Sequence, residues 1–280
     1  VLDCDSIEVV ADGSSGSAHI QVKGHVTPFS LLEGALENWD LVQEFDVEFT
    51  VDYRLAPNSS LLEIQTTLDW NDDNNGYVQM ANVMLLGKEV LHNWNPGGGF
   101  EGSTNNNWMG VIGKQNEIAL ALLPEDIFTA SSLQSLLESA TPAMSSFSDN
   151  LALESGDQVS FIQYIGVGSD LAEITDQWYQ VRDVATQEVS GQVTSAGEPV
   201  AGARVHLYDV DGEAITVAFT AEDGSWSALI PEGVDSSFVV TGRGTGVLFD
   251  LEEGSGWYSL YADSTIQEAV LTSMSQGATP

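Results

Sequence analysis

From Val189 to Val240 apolar and polar residues alternate at period two, and turn residues interrupt the pattern at short, regular intervals. Val189 to Val193 reads as a strand, Ser195 to Pro199 as a turn, and Ala201 to Tyr208 as a second strand closed by Asp211-Gly212. Ile215 to Thr220, Trp226 to Ile230 and Phe238 to Val240 follow, separated by Asp223-Gly224 and Pro231-Glu232-Gly233. Glycine after aspartate supplies the positive φ of a tight turn, and the alternation gives each strand one buried face, so a small antiparallel sandwich is predicted.

Residues 1 to about 168 carry the same signature with longer intervals. Ile7 to Val10 and Ala18 to Gly24 form a hairpin around Asp12 to Gly16. In Leu41 to Val51, Val47, Phe49 and Val51 share one face while Glu48, Thr50 and Asp52 share the other, and Leu61 to Leu68 pairs with this strand across Ala56 to Ser59. Tyr77 to Leu86, the hairpin 108–113 with 117–123, and 158–167 are further strands. Two segments have helical spacing instead. Ser131 to Ser139 carries Leu133, Leu136 and Leu137 and stops before Pro142; residues 169–182 place Leu171, Ile174, Trp178 and Val181 on one stripe, with Ser169 as the cap. That stripe is expected against the first sandwich. The fold class expected is therefore all-β, with two β-sandwich domains. Residues 1–184 form the larger one, with one or two short helices and ending in a helix; residues 185–271 form the second, completed by strands at 247–251, 257–261 and 266–271; 272–280 is a linker or tail.

The run Gly197-Glu198-Pro199-Val200-Ala201-Gly202-Ala203, with the later Thr220 to Trp226 and Pro231 to Gly233, resembles the carboxypeptidase regulatory-like family, a transthyretin-like sandwich appended to many secreted enzymes and surface proteins. The resemblance implies architecture, since such modules are generally non-catalytic. Asp52 to Thr67 is similar to a stretch that precedes this module in secreted bacterial metallohydrolases of the PHP (polymerase and histidinol phosphatase) superfamily. Asn58 departs from that family's commoner glycine, and Asn71 to Asn75 has no counterpart in it. This second resemblance implies that residues 1–280 are the amino-terminal accessory region of such an enzyme, with the catalytic domain beyond them.

Charge narrows the partners. Seven Lys plus Arg against 42 Asp plus Glu give a formal charge of -35, which opposes binding to nucleic acid or anionic lipid. Such a surface suits a secreted or cell-surface chain kept soluble by acid groups, or one that holds divalent cations. Cys4 is the single cysteine, so no internal disulfide and no cysteine zinc site can form. No apolar run approaches the ~20 residues of a membrane span.

Few residues carry recognisable chemistry. A PHP-type centre needs a His-x-His pair, and no two of His19, His25, His92 and His206 are spaced by one residue. Asp69, Asn71, Asp73 and Asn75 form the densest set of oxygen ligands and are the candidate Ca²⁺ site, although Asn74, Gly76 and Met80 miss the EF-hand spacing. The Gly- and Asn-rich stretch 91–107 brings aromatic and amide groups together: Trp94, Asn95, Phe100 and Trp108 are the candidate carbohydrate platform, against the plain reading that the tryptophans plug one end of the sandwich. No nucleophile elbow supports Ser-His-Asp catalysis.

The leading expectation is thus a non-catalytic accessory region, not itself an enzyme, of a secreted or surface protein. Its partners would be a following catalytic domain, other copies of the chain, or extracellular glycans. The alternatives are a surface assembly subunit, and a carbohydrate-binding module or mutarotase-like enzyme, which would need His, His and carboxylate groups brought together.

Overall fold

The computed structural model describes residues 2–27, 45–85, 91–99, 107–113, 118–125, 128–132, 143–195, 197–241 and 269–271. In chain order the strands are β1 (Leu2–Asp12), β2 (Ala18–Val26), β3 (Val47–Leu55), β4 (Leu61–Trp70), β5 (Gly76–Val78), β6 (Ala81–Leu85), β7 (Leu91–Trp94), β8 (Met109–Gly113), β9 (Ala119–Pro124), β10 (Phe128–Ser132), β11 (Ala143–Ser148), β12 (Leu151–Leu153) and β13 (Gln158–Gly168). Helix α1 (Leu171–Val181) comes next, then β14 (Thr186–Ser195), β15 (Glu198–Pro199), β16 (Arg204–Asp209), β17 (Ala214–Phe219), β18 (Ser225–Pro231), β19 (Ser236–Thr241) and β20 (Ala269–Leu271). The fold class is all-β, as the alternation predicts.

The chain forms two compact units, which do not follow a single cut at residue 184. Unit 1 joins Val1–Asn82 to Pro124–Phe128 and Phe147–Ile165; unit 2 comprises Val83–Leu123, Thr129–Ser146 and Gly166–Pro280.

Unit 1 is built on the hydrogen-bonded order β1-β2-β3-β4-β13, with β5 paired to β12. Register decides its chemistry. Gln21 pairs with Asp52 and His19 with Arg54; across the next ladder Asp52 pairs with Gln65 and Arg54 with Glu63. Since side chains alternate across a strand, these six share one face. The opposite face supplies Val47, Phe49, Val51, Leu68 and Trp70, which bury together with Phe128, Leu153 and Phe161. Trp70 anchors the acidic turn after β4. Its indole Nε1 donates to the Asn74 carbonyl at 2.8 Å, and a Cβ at Gly76 would stand 2.5 Å from its ring, so only glycine fits there. The strand expected over Tyr77 to Leu86 is broken between β5 and β6, where Met80 exchanges hydrogen bonds with Ser148 instead.

Unit 2 holds the order β7-β8-β9, the sheet β10-β11-β6, and the two sheets of the C-terminal sandwich, β15-β14-β18 (with β20 on β14) and β17-β16-β19. Val189, Val193, Val205, Leu207, Trp226 and Ile230 fill that sandwich. Gly224 has φ 79°, and a Cβ there would meet the Val193 carbonyl at 2.4 Å, which explains glycine at this turn. Helix α1 differs from expectation in its cap and its face. Asp170, not Ser169, is the N-cap: its Oδ1 accepts from the Glu173 N–H at 2.8 Å, while Glu173 Oε2 accepts from the Ser169 N–H and hydroxyl. Val181 is exposed, and the buried residues are Leu171, Ala172, Ile174, Thr175 and Trp178. Ala172 joins the C-terminal sandwich core, and Leu171 lies against Gly110 of β8.

The helix also covers two sheet edges. Asp170 Oδ2 accepts from the Phe219 N–H of β17, and Asp176 Oδ1 accepts from the Leu229 N–H of β18, both at 2.8 Å. Both are outermost strands of their sheets, so the carboxylates satisfy edge donors that would otherwise be open to pairing. The helix expected at 131–139 lies outside the described residues except for Ser131 and Ser132, which end β10. The strands expected at 247–251 and 257–261 also lie outside them, and of 266–271 only Ala269–Leu271 is described, as β20. Among the described residues no helix is long and apolar enough to cross a membrane.

Candidate functional site

The polar face of unit 1 collects interacting groups across four strands. His19 Nε2 lies 2.6 Å from Asp52 Oδ1, and the same oxygen accepts from Gln21 Nε2 at 3.0 Å. Arg54 is 3.4 Å from Asp52 Oδ2 through Nη2, and its Nη1 donates to Glu63 at 3.0 Å and Gln65 at 2.8 Å. Ser160 of β13 accepts from Gln65 and Thr67. Tyr164, on the same face of β13, hydrogen-bonds Glu63; burial, then the charges of Glu63 and Glu125, push its hydroxyl above the usual range.

The His19 and Asp52 side chains are 20% and 11% exposed, so the pair is sheltered yet reachable. Burial by itself would raise the Asp52 pKa. Hydrogen bonds from Gln21 and His19 and the charge of Arg54 outweigh it, and the carboxyl titrates below its ordinary value. An ionised carboxylate can only accept, so Nε2 is the nitrogen that carries the proton in neutral His19. Nδ1 then presents the lone pair, the arrangement that makes a neutral imidazole a base.

The other histidines are placed differently. His25 Nδ1 lies 2.8 Å from Asp5, with Glu48 3.8 Å from Nε2, all three well exposed. His92 is on β7. His206 is buried in β16, where desolvation and the neighbouring Arg204 lower its pKa to about 3 and keep it neutral.

Of the oxygen ligands proposed for Ca²⁺, Asp69 is bonded within the fold and the other three lie at the surface of the turn. Asp69 Oδ1 accepts from Gln158 at 2.6 Å, and the turn is organised by Asp72, which accepts from the Asn74 N–H and side chain and from the Asp46 N–H. Those bonds, Asn74 first, hold the Asp72 carboxyl below its ordinary value. Asn71, Asp73 and Asn75 point to solvent at the turn's surface. Among the described residues no three His, Cys, Asp or Glu side chains form a group fit for a metal ion.

The candidate aromatic platform lies largely inside the fold, in line with the plain reading of its two tryptophans as core residues. Trp94 and Trp108 are 1% and 8% exposed, with ring centroids 5.0 Å apart, so their faces are spent on each other and on the core. Asn95 is buried and closes a tight loop by exchanging backbone hydrogen bonds with Gly99, and Gly97 does the same with Ala214 of β17. This stretch is a brace within unit 2. Phe100 lies outside the described residues.

His19, Gln21, Arg54, Glu63, Ser160 and Tyr164 were not singled out by sequence. Their signal was present: His19 and Gln21, then Asp52 and Arg54, then Glu63, Gln65 and Thr67 occupy alternate positions of strands whose other positions, Thr66 apart, are apolar. What joins them is the register of β2 on β3, which no short turn specifies because residues 27–46 intervene.

No protein-family model matches the chain, and no curated protein does, so neither the regulatory-like nor the PHP resemblance gains support there. Solved structures are similar at low identity. A Synechocystis protein aligns at TM-score 0.41 and 10% identity over 59% of this chain and 66% of its own. A provisionally named aldose 1-epimerase from Klebsiella pneumoniae aligns at 0.39 and 11%, over 65% of this chain and 59% of its own. A galactose mutarotase-like protein from Lactobacillus casei aligns at 0.34 and 11%, over 60% and 73%. The chain thus spans less than two thirds of the first two. At these scores no residue role passes from them to this chain. Two expectations, the non-catalytic accessory region and the absence of enzyme activity, are set aside here, because several of the similar structures carry epimerase or mutarotase names.

Proposed function

We propose that the polar face of unit 1 is a carbohydrate site with mutarotase-like activity, in which His19 is the general base and Asp52 holds it. The observation that carries this reading is the 2.6 Å contact between His19 Nε2 and Asp52 Oδ1 on the polar sheet face. It leaves Nδ1 free to take the proton of an anomeric hydroxyl. As that proton leaves, the C1–O5 bond breaks and O5 takes a proton from water, leaving hydroxide; on reclosure at the other face of the aldehyde O5 gives its proton back to the hydroxide and His19 returns its own to O1, giving the opposite anomer. Asp52 stabilises the imidazolium that forms, and Arg54, tied to both Asp52 and Glu63, fixes the carboxylate in place. Gln65, Thr67 and Ser160 offer the amide and hydroxyl groups that recognise sugar hydroxyls.

Polarimetry of freshly dissolved α-glucose and α-galactose tests it. The chain is expected to speed the approach to anomeric equilibrium, and His19→Gln to return the rate to that of buffer. A wild-type chain that accelerates no aldose and binds no sugar on a glycan array removes the reading.

A further inference from the structure

β1 is the outermost strand of its sheet and pairs with β2. Asp170 and Asp176 close the edges of β17 and β18, but among the described residues no strand and no carboxylate closes the outer edge of β1. All of β1 is exposed except Ala11, which is half-buried. Long edges are usually blunted by lysine, proline or bulges. β1 contains no Lys, Arg or Pro, and its two bulges, at Cys4/Ser6 and Val9/Ala11, leave the run from Ser6 to Val9 regular between them. In such a run every second residue turns its N–H and C=O away from its one partner strand.

The two faces of this run differ. Ile7 pairs with Val22 and Val9 with Ile20, so both stand on the side of the sheet where Val22 packs on the core of unit 1. At β1 that side is uncovered: Ile7 is 69% and Val9 63% exposed. Glu8, opposite Gln21, and Asp3, opposite His25, stand on the other side, where Lys23 is the basic neighbour and His25 already holds Asp5. A strand added here meets apolar groups on one face and acid on the other. A second copy fits badly, since its own β1 would set Asp3, Asp5, Glu8 and Asp12 against the same residues in a chain of formal charge -35. We propose that β1 receives an extended basic segment of a partner protein, in which β-branched residues alternate with lysine or arginine, and which joins the sheet as its next strand. The β-branched residues cover Ile7 and Val9, and the cations face Glu8 and Asp3. This edge binds through its own residues, whatever the role of His19 and Asp52.

Calorimetric titration of the full chain with a peptide of alternating valine and lysine tests the proposal. Such a peptide can slide by one residue into either register, so a wrong register does not hide binding. One-to-one binding is expected, weakened at least about tenfold by Glu8→Lys and by Ile7→Ser. Both residues are exposed, so neither change threatens the fold. The same peptide with every backbone amide N-methylated keeps its charge, loses its donors and should not bind. Equal binding of the methylated peptide, or unchanged binding by the two variants, would show that the acidic surface alone attracts cations and would overturn the proposal, as would no binding at all. Sedimentation of the chain alone gives the remaining outcome: a dimer that Ile7→Ser dissolves makes a second copy the occupant and overturns it too.

Discussion

His19 on β2 and His206 on β16 each have an arginine nearby, Arg54 across the ladder and Arg204 two residues back, yet they are put to opposite use. His19 meets an ionised carboxylate at a sheet face that water reaches. His206 is shut away with Arg204, whose Nη2 donates to the Gly113 carbonyl at 2.8 Å. The same contrast runs through the two units. In unit 1 the described ionic contacts join side chain to side chain on the open face; in unit 2 Asp170, Asp176 and Arg204 are spent on backbone groups of neighbouring elements. A side chain committed to the backbone holds the fold and has little left for a ligand. One committed to another side chain at the surface can exchange that partner for substrate.

The largest effect should come from Asp52→Asn. The amide keeps the shape but presents the wrong hydrogen-bonding partner and no charge to His19, so mutarotation should fall about 10²- to 10⁴-fold. Stability should drop too, by about 1–3 kcal/mol, since Asp52 is buried and bonded to His19, Gln21 and Arg54. Kinetics unchanged from wild type, with a large loss in melting temperature, would move this pair into the structural class that His206 represents.

Arg204→Met tests the other side. It leaves the Gly113 carbonyl without its buried donor, at a cost of about 1–3 kcal/mol, and should leave anomerisation rates untouched. Urea unfolding and polarimetry on the same preparation separate the outcomes; a variant as stable as wild type would show that the buried arginine is dispensable.

How much of this was legible in sequence depended on distance along the chain. The hairpins β1–β2, β3–β4 and β8–β9 pair within a few residues of their turns, and the alternation located each of them. The pairing of β2 with β3 bridges twenty residues and fixed the candidate site, and nothing local encodes it. Trp94 and Trp108 left two readings open for a related reason. An aromatic residue beside Gly and Asn reads as a loop platform until the strand that buries it is known. At α1 the difference was one residue, because both Ser169 and Asp170 can cap and only the Phe219 N–H across the gap selects the aspartate.

Asp170→Ala should cost about 1–2 kcal/mol, as the loss of an N-cap does, with the Phe219 N–H left open in addition. Asp170→Asn should recover only part of it, since the amide oxygen can accept from one of the two N–H groups while its NH2 faces the other. Burial already raises the Asp170 pKa, so the neutral amide gives up the acceptor's charge in a site where that charge is poorly solvated. Thermal melts of the two variants rank them, and equal losses would mean that the charge, and not the acceptor geometry, holds the helix.

The smallest effect is one of pH, and it sets His206 against Asp176. Burial foremost, with the charges of Asp170, Glu188 and Glu173 adding to it against the Leu229 hydrogen bond, raises Asp176 from its ordinary 3.8 to about 6. The folded chain therefore binds that proton more tightly than the unfolded one, and stability is gained as pH falls from 6 towards 3.8. His206 goes the other way. Its folded pKa of about 3 lies below the ordinary 6.5, so the stability held by the neutral ring is present above 6.5 and lost as pH falls towards 3. Between pH 6 and 4 the two slopes oppose one another. Each is bounded by about 1.4 kcal/mol per pH unit, and solvent screening brings the Asp176 share below about 1. Asp176→Asn keeps an acceptor for Leu229 and removes the gain, so its melting temperature should fall more steeply than wild type between pH 6 and 4, while the two converge in slope above pH 7. Parallel curves across that window would mean that water reaches Asp176 freely, and the contrast between an open face and a backbone-committed one would then rest on His206 and Arg204 alone.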